Sequence, residues 1–225
     1  MTILIISPLE DEFNAIIEAM SDHGLSTSET TVGRLNLRAA NDGAMMIAQG
    51  GLGKAQFALQ TQHILDHVGK LDLVVCAGTA GCLVDGLRPG DVVIGTETVE
   101  HDFNKKIFKS PLPRFAGHDA SLRALRDLGS VAQFPFNVRF GPIASGDEAI
   151  VDSARRREVH DATGALAVAW EGAGGARACS FSDTPYLEIR GVSDLADDTA
   201  IDEFARNLPM AMRNVALVAM LLGQH

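Results

Sequence analysis

Residues 2–7 (TILIIS) form a short apolar run that predicts a buried strand. Leu9, Phe13, Ile16, Ile17 and Met20 then recur at helical spacing, predicting an amphipathic helix over 9–20, with Pro8 at its entrance where a missing N–H costs little. Two apolar-rich runs flank Asn41-Asp42-Gly43 and predict a hairpin across 35–48, and a long helix is expected from Gly53 to His67. Further buried strands are expected at 71–77, 91–99, 138–144, 165–170 and 186–192, with helices between them. Strands this uniformly apolar leave no wet face, so the alternation predicts an α/β fold: a mixed, mostly parallel β-sheet flanked by helices on both sides. No repeat or low-complexity tract divides the chain, and 1–225 is expected to be a single domain. Residues 103–118 carry Lys105, Lys106 and Lys109 with Pro111, Pro113 and Gly117, lack periodicity, and are expected to be an exposed loop that caps a site or meets a partner subunit.

Composition narrows the function classes. A chain of 225 residues, 46% hydrophobic, hides roughly 70% of its unfolded surface and needs no disulfide or structural metal. With 19 Lys and Arg against 29 Asp and Glu, the net charge of −10 argues against nucleic acid as a partner, because a phosphate backbone requires clustered cations. Cys76, Cys82 and Cys179 form no CxxC pair and sit among small apolar residues, which fits small buried hydrophobes in a reducing cytoplasm. The amino terminus lacks a basic flank followed by a long apolar stretch. No window approaches the roughly 18 apolar residues of a membrane span, so no membrane partner is expected.

Three motifs have ordinary readings beside functional ones. Gly50-Gly51-Leu52-Gly53-Lys54-Ala55 lies between a strand and a helix, the setting of a phosphate loop. Ala48 and Ala55 break the Walker pattern and Gln56 breaks the dinucleotide pattern, so a tight turn is the commoner meaning. His63 and His67 share a helix face, yet Ile64 replaces the glutamate of a zinc protease helix, and no metal is expected. His101-Asp102 could orient an imidazole, although a structural hydrogen bond is the usual outcome for such a pair.

Lone carboxylates fall at the exits of buried strands: Glu12 past the first, Glu171 after ALAVAW, and Asp194 after YLEIRGVS. Ligands of open α/β sheets sit at those carboxyl ends, so the three acids are candidates for one crevice. Thr79, Ala80 and Gly81 would offer a hydroxyl and backbone N–H groups beside it. Each acid also has a bland explanation. Glu10, Asp11 and Glu12 suit the first turn of a helix, Glu171 could begin the next one, and Asp194 could be an N-cap.

Pro8-Leu-Glu-Asp-Glu12, Gly50-Gly-Leu-Gly-Lys54, Ala77-Gly-Thr-Ala-Gly-Cys-Leu83, Gly90-Asp-Val-Val93, Ser145-Gly-Asp147, Trp170-Glu-Gly-Ala173 and Arg190-Gly-Val-Ser-Asp194 stand in an order that resembles the nucleoside phosphorylase and nucleosidase superfamily. Within it, the chain is similar to bacterial methylthioadenosine/S-adenosylhomocysteine nucleosidases. The resemblance implies that Asp194 protonates the purine at N7 and that Glu12 activates water, with Thr79 and Arg190 helping to place it. It implies that Glu171 binds the ribose hydroxyls and stabilises an oxocarbenium-like sugar, that Ser193 supports Asp194, and that the backbone at Ile150 meets the purine edge. The expected activity is a purine nucleoside N-ribohydrolase without cofactor or metal, acting in the cytoplasm as a homodimer. The alternatives are a purine nucleoside phosphorylase or a non-catalytic nucleoside-binding protein. Against the family pattern, Ala149 stands where an aromatic stacks on the adenine, Trp170 replaces a methionine beside the ribose, Ala169 replaces a glutamate, and Ile201 replaces an aromatic at the 5′ side.

Overall fold

The computed structural model describes residues 1–103, 110–131 and 133–223. In chain order the elements are β1 (Ile3–Ser7), α1 (Glu10–Asp22), β2 (Ser28–Val32), β3 (Leu35–Ala40), β4 (Met45–Gln49), α2 (Lys54–Val68), β5 (Leu73–Cys82), β6 (Val92–Glu100), β7 (Arg114–Ala116), α3 (Asp119–Val131), β8 (Val138–Ser145), α4 (Ser153–Thr163), β9 (Ala167–Ala169), α5 (Gly172–Phe181), β10 (Tyr186–Asp194) and α6 (Ala200–Leu222).

The period-2 alternation of β1 sorts its side chains between two helical layers. Ile3 and Ile5 pack with Ile16 and Met20 of α1 and with Met212, Val215 and Ala219 of α6. Leu4 and Ile6 turn to the other side, where they meet Phe57 and Ile64 of α2 and Ala176 and Cys179 of α5. The sheet is mixed and covered on both faces, as expected. Strands β4, β1, β5 and β10 are joined by parallel pairing, as are β6, β8 and β9. Antiparallel pairing of β10 with β6 and of β9 with β5 closes β5, β10, β6, β8 and β9 into a ring of five strands. A small cluster formed by Ala80, Cys82, Val93, Ile143, Ala167, Ala169 and Val192 draws on all of them.

The fold differs from the sequence-based expectation in three places, the first of them at the site. Strand β5 does not stop at Ala77 but continues to Cys82, because β10 pairs along it from Val74 to Gly81. The region 103–118 is not wholly loop. Arg114–Ala116 forms β7 against β6, where Phe115 packs on the apolar cluster and the Arg177 guanidinium lies 5.3 Å from its ring. Lys105, Lys106 and Lys109 lie outside the described residues. Finally, β2 has no apolar alternation that would announce it; SETTV is mostly exposed and extends the hairpin by pairing with β3. All three cysteines are buried and unpaired. Among the described residues, no helix is long and apolar enough to cross a membrane.

Candidate active site

Because β1, β5 and β10 run parallel, their carboxyl ends open on one rim, and the short β9 reaches the same level by pairing Val168 with Gly81. A cavity of about 410 Å³ lies there. Glu12, Thr79, Ala80, Gly81, Ala149, Ile150, Trp170, Glu171, Arg190, Ser193 and Asp194 all line it, so the catalytic and substrate-binding candidates that the family resemblance implies are brought together.

Glu12 lies in the first turn of α1 and is 1% exposed. Its Oε2 accepts the Leu9 N–H at 3.1 Å, capping the helix. Its Oε1 accepts both the Thr79 N–H and the Thr79 hydroxyl at 2.7 Å. One oxygen thus caps the helix while the other faces Thr79 on the cavity side. Gly78 makes the approach possible: a Cβ there would lie 2.5 Å from Arg190 Nη1 and 3.2 Å from Glu12 Oε1.

Glu171 occupies the N-cap position of α5 but makes no side-chain cap. Its Oε1 accepts the Gly53 N–H at 3.2 Å, and its Oε2 lies 3.5 Å from Arg190 Nη2. The glycine-rich segment is thus a strand-to-helix turn with Gly51 and Gly53 at positive φ. Asp147 accepts the Lys54 N–H at the start of α2, so acids already hold the amides that a phosphate would need. Burial pushes the Glu171 carboxyl above its ordinary pKa, and Glu12 adds to this while Arg190 and the Gly53 N–H oppose it.

Asp194 is not an N-cap. It ends β10 just after a register shift between Val192 and Asp194, and α6 begins six residues later behind Thr199. Such an irregularity re-aims a side chain at the end of a strand. Asp194 Oδ1 accepts the Ala196 N–H at 3.0 Å, and Ser193 Oγ lies 2.7 Å from Oδ2 and 3.3 Å from the Ala80 carbonyl. If the serine proton goes to Ala80, Oδ2 can keep its own proton. Burial raises the Asp194 pKa, the Ser193 and Ala196 hydrogen bonds oppose it, and Glu203 and Asp197 raise it further.

Arg190 is the cation of the site and is 1% exposed. Its Nε donates to Glu188 at 2.8 Å, Nη1 to the Thr79 carbonyl at 3.3 Å and Nη2 to Cys76 Sγ at 3.3 Å. Burial works against the charge, but the carboxylates of Glu188, Glu171 and Glu12 outweigh it and hold the guanidinium protonated. Sequence reasoning did not single out Glu188. Its signal was two ionisable residues at i and i+2 of a buried strand, which places them on one face.

Ala149 is exposed at the rim, so the wall beside it is open, and Ile201 and Leu52 stand at the mouth with 75% and 51% exposure. The other candidates lie elsewhere. His63 Nε2 accepts the Arg34 N–H. Asp102 pairs with Lys54 and accepts the Asp147 N–H, while the buried His101 ring makes no hydrogen bond among the described residues. Also among the described residues, no group of three or more His, Cys, Asp or Glu is arranged to hold a metal ion.

Comparison with known proteins gives the same frame. The 5′-methylthioadenosine/S-adenosylhomocysteine nucleosidase of Actinobacillus succinogenes is 30% identical over 224 residues, covering 95% of this chain and 94% of that protein. The crystal structure of the Neisseria meningitidis 5′-methylthioadenosine/S-adenosylhomocysteine nucleosidase with methylthio-immucillin-A superposes with a TM-score of 0.88 at 30% identity, covering 99% of this chain and 98% of that one. Futalosine hydrolase of Helicobacter pylori shares the fold, with a TM-score of 0.89 at 23% identity over 100% of this chain and 97% of that one. The sequence profile of the Phosphorylase superfamily matches residues 2–222, and the chain belongs to that superfamily.

Proposed function

We propose that this protein is a purine nucleoside N-ribohydrolase, a single-domain enzyme whose best substrate class is 5′-thio-substituted adenosines such as methylthioadenosine and S-adenosylhomocysteine. The observation that carries the proposal is the gathering of Glu12, Glu171, Arg190 and Asp194 around one cavity large enough for a nucleoside. The two 30%-identical nucleosidases support the substrate class.

In this reading Asp194, whose pKa burial raises, donates to N7 so that the base departs neutral. Glu12 accepts a proton from water held near Thr79 and Arg190, and Glu171 anchors the ribose 2′- and 3′-hydroxyls while its charge stabilises the cationic sugar. Ser193 supports the acid, the Ile150 backbone meets the purine edge, and Trp170 supplies apolar surface beside the ribose. The same carboxylates disfavour a phosphate dianion as nucleophile. Among the described residues, the one guanidinium in the lining is already engaged by Glu188 and the Thr79 carbonyl. A homodimer in the cytoplasm completes the reading, with the 101–118 region as the subunit contact.

The test is chromatography of methylthioadenosine, adenosylhomocysteine, adenosine, inosine and guanosine after incubation with and without phosphate. Free adenine from the 5′-thio nucleosides in phosphate-free buffer is expected. A strict requirement for phosphate would make the protein a phosphorylase, and intact nucleosides throughout would make it a binding protein.

A further inference from the structure

The carboxylate of Glu188 is fully buried, yet it does not line the cavity. Its Oε1 accepts Arg190 Nε at 2.8 Å, and its Oε2 accepts the Thr98 hydroxyl from the neighbouring β6. It also sits against the start of α5, the positive end of that helix. A Cβ on Gly172 would fall 2.3 Å from Glu188 Oε2, so the glycine after Glu171 leaves the space this carboxylate fills. An arginine, a threonine and a glycine at a helix N-terminus, drawn from three elements, thus accommodate one charge.

We propose that Glu188 is a positioning residue for the hydrolysis: it supplies the counter-charge of Arg190 from behind the site, leaving Glu12 and Glu171 for water and sugar. This rests on the reading of the site as a hydrolase. A buried guanidinium needs a carboxylate within reach. The candidates around Arg190 are Glu188, bonded edge-on at Nε, Glu171 at 3.5 Å from Nη2, and Glu12, whose Oε1 shares with Nη1 the gap left by Gly78. With Glu188 taking the Nε edge, Nη1 is left to the Thr79 carbonyl and Nη2 to Cys76. Thr79, the residue that binds Glu12, is thereby tied to the arginine as well. Without the charge on Glu188, Arg190 turns toward the two acids facing the ligand. The site potential then becomes more positive, which weakens a carboxylate base and disfavours a protonated acid.

Glu188→Gln tests this, because the amide keeps the volume and the acceptor for Nε while removing the charge. The wild type is assayed first. If it releases no base from any nucleoside, the hydrolase reading has failed, and this inference goes with it. If the wild type is active, E188Q is expected to lower kcat on methylthioadenosine by about 10- to 100-fold, with KM changed by less than about 3-fold. Both limbs of its pH profile are expected to move to lower pH by about half a unit or more. In an Arg190→Gln background, adding E188Q should change neither quantity further, since the effect passes through the arginine. A folded E188Q with unaltered kcat and pH profile overturns the proposal, as does an equal loss in the Arg190→Gln background. Should E188Q fail to fold, Thr98→Val loosens the same carboxylate without removing its charge. It is expected to lower kcat by about 2- to 5-fold with no shift of the pH profile, and an unchanged kcat there overturns the proposal.

Discussion

Glu12→Gln separates the two jobs of one side chain. In the native site three donors converge on the carboxylate: Leu9 N–H on Oε2, and the Thr79 N–H and hydroxyl on Oε1. Glutamine can keep its carbonyl toward Thr79, but its NH₂ then faces the Leu9 N–H, so one helix-capping bond is lost and two donors confront each other. Such a loss costs about 1–3 kcal/mol, which for a chain of this length lowers Tm by roughly 2–10 °C. Arg190 is not orphaned, because Glu188 and Glu171 remain beside it. The chemical effect is far larger: removing a general base costs about 10²–10⁴ in kcat. Adenine release from methylthioadenosine, measured at a temperature where calorimetry shows the variant folded, gives kcat; titration with an unreactive nucleoside analogue gives affinity, expected to change by less than about threefold. A folded E12Q that turns over within tenfold of the wild type would refute the assignment of the base, whatever happens to Tm.

Other outcomes follow from the same geometry. Asp194→Asn should lower kcat by about 10²–10⁴, measured by the same assay. Since burial raises the Asp194 pKa, an unfolded chain ionises first as pH climbs from about 4. That contribution to wild-type stability is full below the unfolded pKa and is lost as pH rises through the folded one, so D194N should gain stability relative to wild type between pH 4 and neutrality in urea titrations; parallel curves would contradict the raised pKa. Gly53→Ala forces a side chain into a backbone at φ 80° and ψ 158°, at about 1–3 kcal/mol. It disturbs the N–H given to Glu171, so KM should rise more than kcat falls, and steady-state kinetics would show the reverse if Glu171 does not hold the sugar. Ala149→Phe closes the open wall with an aromatic ring and should lower KM for methylthioadenosine by roughly 2- to 10-fold, with an unchanged or higher KM counting against a purine beside residue 149.

The parts of this molecule that could be read from the chain are those governed by local pattern. The apolar run of β1, the helical spacing of Leu9 to Met20 and the hairpin around Asn41-Asp42-Gly43 each declare themselves within one window, and the structure has them where expected. The gathering of Glu12 and Asp194 was legible because parallel strands share an exit rim, whereas Glu171 joins them from β9, which runs antiparallel to β5 and meets it at Gly81. What escaped was set by partners distant in sequence. The extension of β5 through Gly78–Cys82 depends on β10, more than a hundred residues away, and β7 exists because β6 offers an edge and Phe115 an apolar anchor. The Gly53 turn revealed its glycines but not that its N–H would meet a carboxylate 118 residues distant. Glu188 was visible only as a charge out of place in a buried strand, and which residue answered it required the fold.

Joining β5, β10, β6, β8 and β9 into a ring leaves those strands without a hinge. A residue added to any of them has to be taken up as a local bulge, as happens in β10 between Val192 and Asp194, so the barrel wall tolerates changes of length poorly. Segments that hang off the ring, 148–151 beside the cavity and 197–204 leading into α6, carry no such constraint. Insertions and deletions that alter ligand preference among its kin should therefore fall in those two stretches, while the interlocked wall changes by substitution alone.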